Sequence, residues 1–414
     1  MPFPVILRPH QTEATEQLLN NTKGQVIVPT GGGKTLIAIS DAYREFQSDT
    51  PKTIVVVAPR ILLANQLCSE FLEVIQNATS IHVHSGETKH FSSTKPEKIK
   101  LAVDMCKTAG IHTLIFTTYH SLHRVQESGI EVDTIYFDEA HNSVQRHFFP
   151  AVEYFSQEAK RCYFFTATPK HSVTVMKPGM NDASVYGNVI VNVPAPKLVE
   201  GGFIVPPKVH VKELEMVQKG QHVAERDCEN LLDSIDEHEV DKVLVCAKAV
   251  KQIINLVSQT DFATQLQERG YSYLYISAKT GGVIDGVKVS REKFFETLNS
   301  WGRDNDKKFV VLHHSILSEG INVSGLNAVI FMRNMDYIGL SQTIGRVIRM
   351  HQDDAKGIRE GNISAGDTNN YTKSFGLCIV PVFSKVGIQT AKSLQTVVNT
   401  IFEEGEPAVS VVRK

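Results

Sequence analysis

Residues 26–39 read VIVPTGGGKTLIAI, and this stretch decides the fold of the chain. An apolar, β-branched run leads into a proline and three glycines, and an apolar segment typical of a buried helix follows. The order predicts a strand, a tight loop and a helix. Glycines lack a Cβ, so the loop can turn its backbone N–H groups towards phosphate oxygens, and the start of the helix favours the same negative charge.

The side chains after the glycines fit the same interpretation. Lys34 is placed to reach the β- and γ-phosphates of a nucleotide, and Thr35 is placed to hold Mg²⁺. Val28 stands where the strict phosphate-loop pattern has its first glycine, and the alternative is a flexible glycine turn that binds nothing. We predict a nucleotide-binding loop that contains Gly31, Gly32, Gly33, Lys34 and Thr35.

Similar apolar runs recur along the chain and predict an α/β fold. In the first half they lie at residues 53–59, 113–119, 134–140 and 162–168, with helix-like segments between them. Near-continuous apolar runs suit strands that are buried on both faces of a mostly parallel sheet. A second series follows at residues 207–214, 242–248, 271–277, 307–315, 327–333 and 375–383.

The two series are separated by a change of composition. Residues 194–207 read PAPKLVEGGFIVPP, and prolines and glycines of this density favour a junction between domains. We therefore predict one α/β domain over residues 1–196 and a second over residues 197–414. The polar, glycine-containing residues 350–373 are predicted to form a long surface loop before a last strand.

Two adjacent acids follow the apolar run in the sequence TIYFDEAH, residues 134–141. Charge at the end of a buried strand is costly unless it is compensated, and a metal ion compensates it. Asp138 is placed to hold Mg²⁺, and Glu139 to orient and deprotonate an attacking water. Such a pair alone is more often a loop start or a helix cap, but the preceding glycine loop favours the catalytic interpretation.

The sequence SQTIGRVIRM, residues 341–350, carries two arginines near the end of the chain. The spacing of Gln342, Arg346 and Arg349 predicts that both arginines lie close together on one helix face. Arginine can neutralise charge on a γ-phosphate during transfer, with an effect on the order of 10³–10⁵ in rate. The alternative is a solvated basic face, or one that contacts a nucleic-acid backbone.

Composition restricts the class of protein. The length of 414 residues suggests two or three domains, and a hydrophobic fraction of 42% is enough to form packed cores. The net charge of -2 argues against a strongly basic DNA-packaging protein, although local basic clusters can still form a nucleic-acid groove. No apolar stretch is long enough to cross a bilayer and no secretory signal is evident, so we expect a soluble intracellular protein without a membrane partner.

The cysteines and histidines do not predict a metal site. The six cysteines are scattered and form no C-x-x-C pair, so reduced, mostly buried thiols are expected and zinc is not. His82, His84 and His90 are close in sequence, but without a partnering cysteine or acid pattern they are interpreted as ordinary loop histidines.

The order of these motifs resembles that of the superfamily 2 helicases over nearly the whole chain. PTGGGKT at residues 29–35 resembles motif I, DEAH at 138–141 is similar to motif II, and QTIGRVIR at 342–349 is similar to motif VI. LSEGINV at 317–323 resembles motif V, with Asn322 where an acid is common. Within the superfamily, the chain resembles the branch that includes restriction-enzyme motor subunits, excision-repair helicases and phage recombination helicases.

The resemblance implies roles for further residues. LRPHQ at 7–11 resembles the adenine-reading segment, which places Gln11 against the base and Arg8 nearby. VVAPR at 56–60 and TTYHS at 117–121 resemble motifs that grip one nucleic-acid strand, and TATP at 166–169 resembles the motif that couples nucleotide state to the track. The nucleotide set then also includes Pro29, Thr30 and Gly320; the strand-gripping set is Arg60, Thr117, Thr118 and His120; and the coupling set is His141, Thr166 and Thr168.

The expected protein is an ATP- and Mg²⁺-dependent motor on nucleic acid. The resemblance implies two tandem RecA-like domains that close on ATP, with DNA favoured over RNA as the track. A monomer is expected because one chain holds both domains, and a protein partner could supply recruitment. Two alternatives are an ATPase switch that ignores nucleic acid and a regulatory module with a dead ATP site; a third, a small-molecule kinase, is rejected. Intact acids and arginines argue against the second, and the two α/β halves argue against the third.

Overall fold

The computed structural model describes residues 3–174, 176–214, 220–277, 281–314, 325–382 and 387–412. The chain packs as two compact units. The first consists of Met1–Val193 together with Pro407–Lys414, and the second of Pro194–Glu406. The division after Val193 falls three residues before the predicted end of the first domain.

The first unit is a parallel sheet covered by helices. Its helices are α1 (Pro9–Asn20), α2 (Lys34–Glu45), α3 (Ile61–Val74), α4 (Pro96–Thr108), α5 (Leu122–Glu127), α6 (Phe149–Glu158) and α7 (Ala183–Tyr186). Its strands are β1 (Lys23–Ile27), β2 (Thr53–Ala58), β3 (Ala78–Val83), β4 (Phe91–Ser92), β5 (His112–Thr118), β6 (Thr134–Phe137), β7 (Arg161–Thr166), β8 (Lys170–Ser172) and β9 (Val189–Asn192).

The strand order of this unit brings the predicted motifs to one edge. Within the described residues the sheet has the order β4-β3-β5-β2-β6-β7-β1-β9, and all of its paired strands are parallel. The β2 strand is buried along its whole length, as its β-branched sequence predicts. Because parallel strands end at the same edge of a sheet, the loops after β1, β6 and β7 lie together.

The C-terminal segment differs from the predicted domain division. A short strand, β18 (Ser410–Val412), pairs in parallel with β8 of the first unit. The predicted second domain over residues 197–414 therefore includes a segment that packs with the first unit instead. Nothing in the local sequence indicates this pairing, because the partner strand lies more than two hundred residues earlier.

The second unit is also an α/β sheet. Its strands are β10 (Pro207–Glu213), β11 (Lys242–Cys246), β12 (Tyr271–Ser277), β13 (Gly281–Ile284), β14 (Val287–Val289), β15 (Lys308–His313), β16 (Ala328–Phe331) and β17 (Gly376–Val382). Its helices are α8 (Ala195–Glu200), α9 (Val223–His238), α10 (Val250–Gln259), α11 (Phe262–Glu268), α12 (Arg291–Arg303), α13 (Tyr337–Val347), α14 (Gln352–Arg359) and α15 (Ile388–Val398).

The second sheet is parallel except at one end. In the described part of this unit the order is β10-β17-β16-β11-β15-β12-β13-β14, and the antiparallel pairs are β12 with β13 and β13 with β14. The chain thus has the predicted α/β class, with two mostly parallel sheets covered by helices. No helix in the described ranges is both long and apolar enough to cross a membrane.

The predicted surface loop at residues 350–373 is partly helical, which corrects the sequence prediction. The helix α14 begins after His351, whose side chain accepts from Asp353 N at 3.3 Å. Asp354, 1% exposed, accepts from the backbone N–H groups of Thr372 and Lys373 at 2.7 and 3.0 Å. Acids in the first turn favour a helix start, and the buried carboxylate then ties the rest of the segment back to the helix.

A buried ion pair connects the helices of the first unit to its sheet. Asp41 of α2 is fully buried and accepts from both terminal nitrogens of Arg161, each at 2.9 Å. Tyr136 donates to the same carboxylate at 2.6 Å, and Arg44 is a further partner. Arg161 also donates to Leu18 O of α1 at 2.9 Å. One guanidinium therefore connects α1, α2 and the start of β7.

Candidate functional site

The glycine loop follows β1 directly and ends at the first turn of α2. Val28 N donates to Thr166 O at 3.1 Å, so the loop leaves the sheet beside the end of β7. Gly31 and Gly33 have φ of 88° and 82°, a left-handed conformation that favours glycine. These two residues turn the backbone so that the N-terminus of α2 begins at Lys34. A helix start of this kind favours anions.

Three side chains at the N-terminus of α1 contact the carbonyl groups of the glycine loop. Arg8 Nη1 donates to Gly31 O at 3.3 Å, His10 Nε2 lies 2.8 Å from Gly32 O, and Gln11 Nε2 donates to Gly33 O at 3.2 Å. His10 lies within the LRPHQ segment, but its contact with the loop was not predicted from the sequence. Consecutive glycine carbonyls are thus each contacted by a different side chain, which fixes the backbone of the loop.

Gln11 is placed differently from a side chain that simply faces a base. It is 1% exposed, and its Oε1 accepts from Arg8 N at 2.9 Å while its Nε2 holds Gly33 O. Both ends of the amide are therefore bonded to backbone. Its role against an adenine stays a prediction, and the structure assigns it a supporting role under the loop.

The residues of the loop fit a nucleoside triphosphate, the ligand that the sequence predicts. Lys34 Nζ is held by Val28 O at 3.4 Å, a weak contact that a phosphate oxygen can replace. Thr30 Oγ1 is buried and finds no hydrogen-bond partner in the described part of the chain. Thr35 follows Lys34 in the first turn of α2 and offers a hard oxygen ligand of the kind that Mg²⁺ prefers.

Substitution of Gly33 by alanine is expected to disrupt this loop. A Cβ there would lie 2.3 Å from Gln11 Nε2, at a φ of +82°. Gly110 has a similar φ of +75° with nothing within 4 Å of an added Cβ, so Gly110→Ala carries the backbone cost alone. We expect Gly33→Ala to weaken ATP binding at least tenfold and Gly110→Ala to leave it unchanged, measured by equilibrium titration. Equal affinities in the two variants would contradict the tight packing of Gln11 on the loop.

The acid pair lies at the end of β6. Asp138 N donates to Val57 O at 2.9 Å, which anchors the turn to the neighbouring strand β2. Desolvation and the adjacent Glu139 carboxylate raise the pKa of Asp138, while Lys34 opposes the rise. A divalent cation beside this carboxylate would favour its charged form. Asp138 therefore suits the metal-ligand role that the sequence predicts for it.

Glu139 has an uncommon backbone conformation and a side-chain oxygen in need of a partner. Its φ is 44°, which non-glycine residues rarely adopt. Its Oε2 is buried and has no hydrogen-bond partner among the described residues, with His141 Nδ1 at 3.6 Å. A carboxylate oxygen that is buried but unbonded can accept a proton from a water molecule.

A histidine joins the acid pair to the end of β7. His141 Nδ1 lies 3.1 Å from Thr166 Oγ1 and 3.3 Å from Thr168 Oγ1. Asn142 Nδ2 lies 3.2 Å from His141 Nε2, so the second ring nitrogen also has a contact. Thr168 N in turn donates to Thr166 Oγ1 at 3.0 Å. The predicted coupling residues are brought together in one buried network.

The predicted strand-gripping residues are divided between surface and interior. Arg60 is exposed at the N-cap of α3, and His120 is exposed with its ring edge-on to Phe148 at 4.7 Å. Thr117 and Thr118 are 0% and 3% exposed, and the Thr117 hydroxyl donates to Val83 O at 2.9 Å. This burial weighs against a direct side-chain contact from either threonine, because both residues complete the end of β5.

The arginines of the second unit do not share a helix face, which corrects the sequence prediction. Gln342 and Arg346 lie on α13 and are 8% and 4% exposed. Helix α13 ends at Val347, and Arg349 instead forms an antiparallel bridge with Ile204. Val205 N donates to Ile348 O at 2.8 Å, so the segment before β10 draws the chain out of the helix. The 3.6-residue spacing alone could not show that tertiary pairing ends the helix between the two arginines.

A lysine that the sequence analysis missed holds the end of this segment. Lys373 Nζ donates to Arg349 O at 2.8 Å and to Leu326 O at 2.7 Å. Burial and the nearby Arg349 lower the pKa of Lys373 to about 7. The predicted motif V residues, including Gly320, Glu319 and Asn322, lie outside the described residues.

Comparisons with known proteins identify the family and the fold. Two family models match the chain: type III restriction enzyme, res subunit, over residues 4–171, and helicase conserved C-terminal domain, over residues 226–351. No curated protein sequence gives a match.

Solved structures with a similar fold include two restriction enzymes. The ATP-dependent Type ISP restriction-modification enzyme LlaBIII bound to DNA has a TM-score of 0.74 at 18% identity, over 99% of this chain and 31% of that one. A nuclease-deletion mutant of the Type ISP enzyme LlaGI, in complex with a DNA substrate mimic, has a TM-score of 0.66 at 19% identity, over 98% of this chain and 30% of that one. The chain thus spans about a third of the length of these enzymes.

A third similar structure is Mss116p bound to ssRNA and AMP-PNP. Its TM-score is 0.61 at 14% identity, over 99% of this chain and 75% of that one. At such identities the likeness concerns the fold, whereas the two family models match sequence on both units. The chain therefore belongs to the superfamily 2 helicases, with two RecA-like domains, and is related to the motor subunits of restriction enzymes.

Proposed function

We propose that this chain hydrolyses ATP and uses the cycle to move along, or unwind, nucleic acid, with DNA as the favoured track. The observation that carries the proposal is the network of His141, Thr166 and Thr168 beside Glu139. A protein that only binds a nucleotide does not require a buried contact between its candidate catalytic base and the end of a neighbouring strand. Such a link can transmit nucleotide state to another surface.

Each candidate catalytic residue has one proposed task. Lys34 binds the phosphates, Glu139 accepts the proton of the attacking water, and Arg346 neutralises charge on the transferred phosphoryl group. Gln342 and Arg349 are proposed to assist Arg346. Thr35 and Asp138 would hold Mg²⁺, which supplies charge neutralisation at the β- and γ-phosphates when it is bound.

DNA is favoured because two of the similar structures, those of LlaBIII and LlaGI, are described as complexes with DNA or a DNA mimic. Mss116p is described with ssRNA, so RNA is the competing track. Arg60 and His120 are the exposed candidates for backbone contacts. Contacts to phosphates make binding sequence-independent and salt-dependent. We further propose an intracellular monomer whose targeting depends on a protein partner.

A second candidate function is an ATPase switch that does not respond to nucleic acid. The burial of Thr117 and Thr118 favours it, because two of the four predicted strand-gripping side chains are then withdrawn from the surface. The ATP-site residues would be the same in both cases. Stimulation of hydrolysis by nucleic acid separates them.

The test is ATP hydrolysis by the purified chain alone and with single-stranded DNA, double-stranded DNA or RNA, at low and moderate salt. We expect DNA to raise the rate many-fold and the stimulation to fall as salt rises. A rate raised by RNA alone identifies RNA as the track. A rate that no nucleic acid changes refutes the motor and leaves the switch.

Substitution of His141 tests the coupling network. We expect His141→Ala to lower the ratio of DNA-stimulated to basal hydrolysis about tenfold, since coupling between sites is typically worth about 1–3 kcal/mol. His147→Ala is the control, because His147 is exposed and lies on the same segment. The measurement is the rate with saturating DNA divided by the rate without it. An unchanged ratio in His141→Ala would show that the network is structural only.

A further inference from the structure

A second group of potential ligand side chains lies on the outer part of the first sheet. Cys68 on α3, His82 on β3 and His90 just before β4 have ligand atoms that all lie within 4.8 Å of one another. The β3–β4 pairing places His82 opposite Ser92, which brings the segment containing His90 alongside. Cys68 lies on a different element from the two histidines, and only the folded chain brings the three side chains together. For this reason the sequence did not predict Cys68 as a partner of the histidines.

His82 is not the loop histidine that its sequence context predicts. It lies in β3 and is fully buried, and its Nε2 has no hydrogen-bond partner among the described residues. Its other ring nitrogen, Nδ1, lies 2.9 Å from His84 Nε2, which also contacts Asn65 Oδ1 at 3.2 Å. A buried ring nitrogen without a partner is unfavourable, and a metal ion can satisfy it.

The other two side chains also leave a ligand atom available. Ser80 Oγ lies 2.8 Å from His90 Nδ1, which leaves Nε2 of this exposed ring for a ligand. Cys68 is 1% exposed, and its thiol is hydrogen bonded by the side chain of the same serine. Ser80 thus orients both groups, as outer partners of metal ligands commonly do.

We propose that Cys68, His82 and His90 bind one Zn²⁺ ion through a thiolate and two imidazoles, with water in the fourth position. Sulfur and nitrogen donors favour zinc over Mg²⁺, which prefers oxygen. The ion would clamp α3 and the segment before β4 onto β3. It is therefore a structural or regulatory site rather than part of the phosphate chemistry, and it does not depend on the proposed motor function.

Binding requires two small rearrangements. Ligand atoms around tetrahedral zinc lie about 3.3–3.8 Å apart, so the His90 ring, stacked on His82 at 5.4 Å, must turn inwards. His82 must also carry its proton on Nδ1 and donate it to His84, which then gives up its 3.2 Å bond from Gly86 N. His90 is exposed, and its hydrogen bond with Ser80 must adjust as the ring turns.

Zinc binding should release a proton and become tighter as pH rises. Burial raises the pKa of the Cys68 thiol to about 11, so the ion must displace the thiol proton at neutral pH. Burial and the neighbouring histidines lower the pKa of His82 to about 4, so its ring is already neutral there. Metal affinity measured from pH 6 to pH 8 should therefore increase, mainly through loss of the Cys68 proton.

The probe is Co²⁺, added to the full chain after treatment with a chelator. We expect one Co²⁺ per chain, with a thiolate-to-cobalt absorption band in the near ultraviolet, and displacement by an equal amount of Zn²⁺. Cys68→Ser should remove the band. His90→Ala, at an exposed position that tolerates change, should weaken binding by more than the roughly 10–100-fold that loss of an outer partner costs.

The matched controls are Cys106→Ser on α4 and His123→Ala on α5, which should both bind Co²⁺ like the unmodified chain. Thermal unfolding checks that every variant is folded, and Zn²⁺ should raise the unfolding temperature of the unmodified chain but not of His90→Ala. The proposal is overturned if the chain binds no Co²⁺ or Zn²⁺. It is equally overturned if the band and the affinity survive in both Cys68→Ser and His90→Ala.

Discussion

Glu139→Gln is expected to lower the ATP turnover number by about 10²–10⁴ while ATP still binds. The Oε2 atom of Glu139 is buried without a hydrogen-bond partner in the described residues, so the carboxylate is poised to accept a proton. Glutamine has nearly the same shape but cannot accept that proton from water. The measurement combines steady-state hydrolysis with equilibrium binding of a fluorescent ATP analogue.

Glu158→Gln is the matched control for this substitution. Glu158 is an exposed residue at the end of α6 in the same unit, and the change removes the same charge. Its turnover number should stay within twofold of the unmodified chain. If Glu139→Gln keeps more than half of the activity, Glu139 is not the base; if it no longer binds ATP, the residue acts in binding instead.

Arg161→Met is expected to destabilise the first unit by about 3–5 kcal/mol, the usual cost of removing one partner of a buried ion pair. Asp41 is fully buried and, among the described residues, would keep Arg44 and Tyr136 as its polar partners. The Leu18 carbonyl would also lose one of its two donors and keep only the Tyr163 hydroxyl among the described residues. Methionine preserves most of the apolar volume, so the effect reports the lost charge and hydrogen bonds rather than a cavity.

Denaturant unfolding followed by circular dichroism measures this loss, and Trp301 fluorescence serves as an internal reference. Trp301 is the one tryptophan of the sequence and lies on α12 of the second unit. Arg124→Met is the control, because Arg124 and Glu127 form an exposed pair at 2.9 Å, and such pairs contribute about 0–1 kcal/mol. If Arg161→Met lowers the free energy of unfolding no more than Arg124→Met does, water solvates the Asp41 carboxylate in place of Arg161.

The fold class and the positions of the motifs could be predicted from the amino-acid sequence alone. Periodicity is local information, so apolar β-branched runs predicted the central strands, such as β2 and β5, nearly to the residue. The glycine loop and the acid pair also lie at the ends of strands, as the sequence predicts: the loop follows β1 and the acids follow β6. The family model matches on residues 4–171 and 226–351 confirm the resemblance that the motif order indicated.

Tertiary structure decided which of these residues meet and which are withdrawn. Thr117 and Thr118 are polar and end a strand, yet the packing of β5 buries them. Arg349 has helical spacing from Arg346, but its pairing with Ile204 ends the helix first. Each of these outcomes depends on a contact between segments that are far apart in sequence. A local sequence pattern cannot predict the free energy of such a contact.

The same reason explains the two features that the sequence analysis missed. Cys68 and His82 are unremarkable within their own segments, and only the packing of α3 against the sheet brings thiol and imidazole together. The strand Ser410–Val412 belongs to the first unit because it pairs with β8. Local propensity fixes elements and motifs, whereas the pairing of distant segments fixes the partners of each side chain.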